Sequence, residues 1–242
     1  MNIYEEELKE YQYILFKSKI GHKAREYMQY TRGISPATAK YWGLGYSPLN
    51  FIPECYKKDS NYEINKFWKK LNGRIVIPIY DANGKLISLS GRTIFNMKPK
   101  YEHYPFSARK ILFGLYQNKH KIREENLLII TEGQLDVISA WQKDVHTVVS
   151  SFGAHAGIDH LATASRYTNN IYILYDNDSA GLSGLDAIQE IAHQTNLNIT
   201  LCPGIFPKGQ DLDNWIKSHS KDELYTLINN PMLSLLKEVE LF

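Results

Sequence analysis

Cysteine is nearly missing. Cys55 and Cys202 are the only two in 242 residues. So few thiols, so far apart, argue against a disulfide framework and a cysteine-built zinc site. They suit a reducing compartment, so a cytoplasmic location is expected. Long apolar runs are missing too. No stretch of about 18 apolar residues occurs, and no membrane span or membrane partner is expected. The opening MNIYEEELKE is acidic and polar, unlike a signal peptide. Three catalytic signatures are absent: the G-x-x-x-x-G-K-[ST] phosphate loop, the G-x-S-x-G elbow and the H-E-x-x-H pair. The eight histidines are scattered, and neither repeats nor low-complexity tracts occur.

What is present is ordinary globular composition, 43% hydrophobic and 22% charged, enough for a sizeable core. The net charge of +2 conceals an asymmetry. Residues 1–125 carry 22 Lys+Arg against 12 Asp+Glu, and residues 126–242 carry 6 against 14. Thirteen of the basic residues lie in 66–123, beside only 2 acids. A basic half suits polyanions and an acidic half suits divalent cations, although an uneven solvated surface would look the same.

The chain reads in two styles. Residues 1–65 look mostly helical. One helix ends near Gly33, and a short one starts at Ser35-Pro36 and stops at Gly43. Residues 73–94 read as a hairpin, with Ile75, Ile77 and Ile79 alternating and Asn83-Gly84 at the turn. The next stretch, NMKPKYEHYPFSARK, has no period and reads as loop. From residue 126 apolar strands alternate with helices, which predicts a mainly parallel sheet covered on both faces. The strands are expected in NLLIITE, HTVVSS, NIYILYD and NITLCP, and a closing helix is expected from residue 211.

Carboxylates recur where such a sheet binds ligands, outside the carboxyl ends of its strands. Glu132 ends the first strand and Asp136 follows on the next helix. Asp176 ends the third strand, with Asp178 two residues on. Asp211 and Asp213 follow the fourth. Six like charges in one crevice would push some pKa values up unless cations compensate them. Mg²⁺ accepts oxygen ligands and phosphates, and two such ions promote phosphoryl transfer. Alternate residues of an extended segment share a side, which would aim each Asp pair at one point. Each acid also has an ordinary reading: Asp178 as a helix cap, Glu132 as a first-turn acid, Asp211 as a turn residue. A calcium loop at DNDSAG fails, because Ala180 and Ala187 stand where ligands are required.

ITEGQLDVI followed by YILYDNDSAG resembles the Toprim fold. YTRGISPATAKYWGLGYSP, GRIVIPIYDANGKLISLSGRTI, PKYEHYPFSARKILFGLYQ, SSFGAHAGIDHL and PKGQDLDNWIK, in that order, resemble the catalytic core of bacterial-type DNA primases. The resemblance implies an α/β Toprim domain, a parallel sheet flanked by helices, preceded by a mixed α+β basic subdomain. The expected division is 1–125, 126–206, and a C-terminal acidic motif with a short helical segment at 207–242. It implies catalytic acids Glu132, Asp176 and Asp178, metal ligands Glu132, Asp176, Asp178, Asp211 and Asp213, and Asp136 in support. It places Arg74, Arg92, Lys100 and Lys110 on a nucleic-acid and nucleotide surface. Tyr101, Tyr104 and Phe106 could stack bases there or belong to the core of a small loop.

The implied activity is RNA primer synthesis on single-stranded DNA from NTPs, with two or more Mg²⁺ or Mn²⁺ ions. A replicative helicase or a separate zinc-binding subunit is a possible partner, since the family's zinc ribbon and helicase-binding domain have no counterpart in these residues. The chain reads as an excised core or as a small stand-alone primase of the kind a phage would carry. Glu102-His103 stands where the family usually has Leu-Asn. Two rivals stay open: a Toprim-type metal-dependent nuclease, and a catalytically silent primase-like protein that binds DNA.

Overall fold

The structure, a computed structural model, describes residues 3–57, 66–153, 156–175, 188, 198–202, 205–207 and 209–230. The chain forms two compact units, Met1–Phe106 and Ser107–Phe242. Among the described residues no helix is long and apolar enough to cross a membrane.

The first unit opens with helix α1 (Ile3–Lys17), then α2 (His22–Glu26), which runs into a π-helical turn at Tyr27–Thr31. Gly33 ends this stretch with a positive φ of 69°. Helix α3 (Pro36–Tyr41) begins as expected: Ser35 accepts from the Thr38 amide, and proline occupies the first turn. Strand β1 (Gly45–Ser47), helix α4 (Glu54–Lys57), and strands β2 (Arg74–Tyr80), β3 (Leu86–Thr93) and β4 (Tyr101–His103) follow. The four strands form an antiparallel sheet in the order β1-β2-β3-β4. The hairpin expected over 73–94 is β2–β3. Its turn is longer than two residues, because Asp81 accepts from the amides of both Asn83 and Lys85. The expected loop after residue 94 contains strand β4, too short to show a period. Gly45–Ser47 is likewise a strand with no separate signal.

Cross-strand partners share a sheet face and successive residues alternate. One face carries Arg74, Val76, Gly91 and Glu102, and the other carries Ile75, Arg92 and Tyr101. Helix α1 covers the first: Leu8 and Tyr11 pack with Val76, Leu89 and Tyr104. Within this core lies Glu7, fully buried. Its carboxylate accepts from the hydroxyls of Tyr11 (2.6 Å), Tyr56 (3.1 Å) and Tyr104. Burial pushes the Glu7 pKa up to about 7, against the opposing pull of the three tyrosines.

The second unit contains helix α5 (Leu115–Glu125), strand β5 (Leu128–Thr131), helix α6 (Gln134–Gln142), strand β6 (Val148–Ser150), helix α7 (Ile158–Ala164), and strands β7 (Asn170–Ile173) and β8 (Asn198–Leu201). Helices α8 (Leu212–Trp215) and α9 (Lys221–Asn229) follow. The sheet is parallel in the order β6-β5-β7-β8. The strand-helix alternation read from residue 126 onward is this α/β sheet. Its interior is mainly apolar, with Ile129, Ile130, Val148, Val149, Ile171 and Ile173 fully buried. Residues 107–125 belong to this unit, and Asn118 on α5 donates to the Val148 carbonyl at 2.7 Å. The single closing helix expected from residue 211 is two. Ser220 starts the second with a capping box, accepting from the Glu223 amide while Glu223 accepts from its own.

Candidate active site

Strand β5 is flanked by β6 on one side and β7 on the other, all parallel. The chain leaves β5 for β6, then returns past β5 to β7. The loops after β5 and β7 therefore part at a topological switch point, where open α/β sheets hold ligands. Glu132 follows β5 directly and is half-buried, and its carbonyl accepts from Ser150 Oγ at 2.7 Å. Tyr175, two residues beyond β7, is buried, and its hydroxyl accepts from the Ala156 amide at 2.9 Å. Burial, with Glu132 adding to it, raises the Tyr175 pKa, so the phenol stays neutral. It ties the loop after β6 to the end of β7. Asp176 and Asp178 lie outside the described residues.

Asp136 on α6 has both carboxylate oxygens engaged. Oδ2 accepts from the Gly133 amide at 2.9 Å, which caps α6. Oδ1 accepts from the Asp213 amide at 3.0 Å. Asp213 is only 2% exposed. Its own Oδ1 accepts from Ser139 Oγ at 2.6 Å, and Lys217 Nζ lies 3.4 Å away. Asp211 caps α8 by accepting from the Asn214 amide at 2.8 Å. Asp211 and Asp213 therefore occupy a cap and a first helical turn. The alternation expected of an extended segment does not apply to them. Among the described residues no three His, Cys, Asp or Glu side chains gather closely enough to hold a metal ion. Ser139, Tyr175 and Lys217 were not singled out in the sequence. Two of them had a faint signal, since Ser139 is three residues from Asp136 and Lys217 four from Asp213.

In the first unit Arg74 is buried, 5% exposed. Its guanidinium donates to the carbonyls of Lys100 (3.0 Å) and Pro99 (3.0 Å) and, longer, to Gly91 (3.5 Å). Gly91 makes this possible, because a Cβ there would meet Arg74 Cδ at 2.8 Å. Burial lowers the Arg74 pKa, with Glu102 opposing that. Arg74 thus fixes the 99–100 backbone rather than lying on an open surface. Arg92 is half-buried, its guanidinium carbon 4.9 Å from the centre of the Tyr101 ring, and Lys100 is exposed. Tyr101 stacks in parallel on His103 with ring centres 6.3 Å apart. Tyr104 belongs to the core, with 1% exposure and its hydroxyl on Glu7. Phe106 is half-buried, edge-on to His103. Lys110 is exposed and lies in the second unit.

Two family models match the chain. One, the N-terminal domain of the DNA primase catalytic core, covers residues 11–119, and the other, Toprim-like, covers 129–216. The DNA primase of Aquifex aeolicus is 32% identical over 226 residues, which is 86% of this chain and 45% of the relative. A DNA primase of Staphylococcus aureus is 28% identical over 240 residues, 91% of this chain and 39% of the relative. The chain thus spans less than half the length of these relatives. Among solved structures, a DnaG primase catalytic domain bound to ssDNA superposes with a TM-score of 0.81 at 25% identity, covering 94% of this chain and 79% of that one. The zinc-binding and RNA polymerase domains of the Aquifex aeolicus primase give 0.74 at 28% identity, covering 95% of this chain and 62% of theirs.

Proposed function

This chain belongs to the family of DnaG-type DNA primase catalytic cores, and we propose that it carries out primer synthesis: DNA-directed joining of NTPs on a single-stranded template. The observation that carries this reading is Glu132 at the carboxyl end of the central strand β5, beside the carboxyl end of β7, in a chain matched by both parts of the primase core. A nuclease or a silent binding protein is not favoured, since the named relatives are DNA primases.

The acids available around the switch point are hard oxygen donors, which fits Mg²⁺ or Mn²⁺. In the proposal Glu132, Asp176, Asp178 and Asp211 hold the metal. A bound divalent ion would lower the pKa of the primer 3′-hydroxyl and neutralise triphosphate charge. Asp213 and Asp136 act as positioning residues, because both are buried with their carboxylates held by protein partners, whereas Asp211 is half-buried and makes a single cap bond. Arg92 and Lys100 take template phosphates, Tyr101 offers a stacking surface, and Lys110 adds positive charge.

The test is incorporation of labelled NTPs on mixed single-stranded DNA templates with Mg²⁺ or Mn²⁺. Primer-length products from the unaltered chain, lost in Glu132→Gln and Asp176→Ala, are expected. Undiminished synthesis by Asp176→Ala would remove the metal assignment. Strand cleavage without NTPs would favour the nuclease.

A further inference from the structure

His160 lies in the first turn of α7 and is only 3% exposed. Both ring nitrogens are used. Nδ1 accepts from the Gly157 amide at 3.2 Å, and Nε2 lies 2.8 Å from the Ala108 carbonyl oxygen. These partners require one protonation state. The amide needs a lone pair on Nδ1 and the carbonyl needs a proton on Nε2, so the ring is the neutral Nε2–H form. The first bond caps α7. The second does what no cap requires, reaching a segment 52 residues away in the chain. A Gln or Glu at this helix position closes a capping box without an imidazole.

The segment reached is the turn Ala108–Lys110, in the same compact unit. The Ala108 carbonyl accepts from the Ile111 amide at 3.1 Å as well as from His160. Just beyond the turn, Phe113 and Ser150 exchange backbone hydrogen bonds of 2.9 and 3.0 Å. Ser150 Oγ in turn holds the Glu132 carbonyl at 2.7 Å. The turn is therefore tied at both ends, through Phe113 to the switch point and through Ala108 to α7. Between the ties stand Arg109 and Lys110, both exposed, and neither ion-paired among the described residues. Lys110 is separated from Phe113 by about 11 Å of chain at most. Two cations on a free loop lose backbone and side-chain entropy when they grip an anion. A turn already held loses less, and binds more tightly for it.

We propose that His160 is a positioning residue for primer synthesis: its bond to Ala108 holds Arg109 and Lys110 ready for the triphosphate of an incoming NTP. This rests on the function proposed above. The Gly157 bond serves the fold, and the Ala108 bond serves the substrate.

Side-chain length separates the two bonds. Asn carries an acceptor at the δ position and nothing at ε, whereas Gln carries an amide nitrogen at ε. His160→Asn should keep the cap and lose the tie, and His160→Gln should restore the tie. Labelled-NTP incorporation, thermal melting and oligo(dT) affinity are measured on the full chain. In His160→Asn the KM for NTPs should rise about tenfold with kcat within about threefold, and oligo(dT) affinity should not change. Melting should fall by about 4 °C at most, the cost of one neutral hydrogen bond. His160→Gln should bring KM back to within about twofold of the parent. Added to Arg109→Ala/Lys110→Ala, His160→Asn should have no further effect, since residues acting through one another are not additive. A parent-like KM in His160→Asn overturns the proposal. So do a KM raised equally in Asn and Gln, additive effects in the triple variant, and melting of His160→Asn far below the parent, which would assign both bonds to the fold. Weaker oligo(dT) binding with unchanged KM also overturns it, and assigns the turn to the template. If the parent makes no primers, the functional reading fails by itself. The inference is then judged by ATP affinity with Mg²⁺ across the same variants, where no binding, or equal binding by parent and His160→Asn, overturns it.

Discussion

The backbone amide of Asp213 donates to the Asp136 carboxylate at 3.0 Å, across 77 residues of chain. One acid thereby holds another in place while capping its own helix. Asp136→Ala removes the acceptor for both the Gly133 and Asp213 amides. Denaturant unfolding should show a loss of about 2–4 kcal/mol. Asp136→Asn keeps one acceptor oxygen and should cost roughly half as much. Equal stability of all three proteins would show that the contact contributes nothing to the fold.

Glu7 predicts a pH dependence. The buried carboxyl keeps its proton to about pH 7, against an ordinary value of 4.5. Between those values the unfolded chain binds fewer protons than the folded one. Stability from this group is full below pH 4.5, falls as pH rises toward 7, and is level above. The whole change amounts to about 3 kcal/mol at most. Melting temperature measured from pH 4.5 to 8 should fall more in the parent than in Glu7→Gln. Parallel curves would show that the tyrosine hydroxyls hold an ionised carboxylate at no cost.

The parallel sheet was legible because β5 and β6 are buried on both faces and need continuous apolar runs, which Leu128–Ile130 and Val148-Val149 supply. Strand β4 was not, since three half-buried residues at a sheet edge carry no period. Stacking and a place in the core could not be told apart for Tyr104, because its partner Glu7 lies 97 residues away, a pairing no local pattern can show. Asp136 and Asp213 were legible as acids beside the sheet, but the bond by which one holds the other was not. Whether Asp213 is exposed or pinned depends on Ser139 and Lys217, residue types common on any helix.

Arg74 and Arg92 should separate in experiment, although both are arginines of one hairpin. Arg74→Met frees the carbonyls of Pro99 and Lys100 and should cost about 2–4 kcal/mol by chemical denaturation. Arg74→Lys should recover only part of that, since an ammonium cannot reproduce the forked donor geometry. Arg92→Ala should cost under about 1 kcal/mol in the same measurement. A stable Arg74→Met protein would overturn the assignment of this side chain to the fold.

Arg92 should instead matter for the template. Oligo(dT) affinity, followed by fluorescence anisotropy across a salt series, is expected to fall linearly on a log-log plot. Arg92→Ala should weaken binding and reduce the slope by about 0.7, the value for one phosphate contact on a single strand. An affinity indifferent to salt would leave the basic residues of this face without a role in binding.

Tyr101 and Glu102 are neighbours in the chain, yet strand pairing sends one toward Arg92 and the other toward Arg74. A three-residue strand therefore serves two surfaces at once, and only its register keeps them apart. Exchanging either side chain disturbs one surface alone. Inserting or deleting a single residue between Lys100 and Tyr104 would transpose the two, carrying the carboxylate to the aromatic side and the ring to the Arg74 side. At this edge the chain is constrained in length more strictly than in composition. Mutational drift here should run through substitution, with insertions and deletions collecting in the Asp81–Lys85 turn instead.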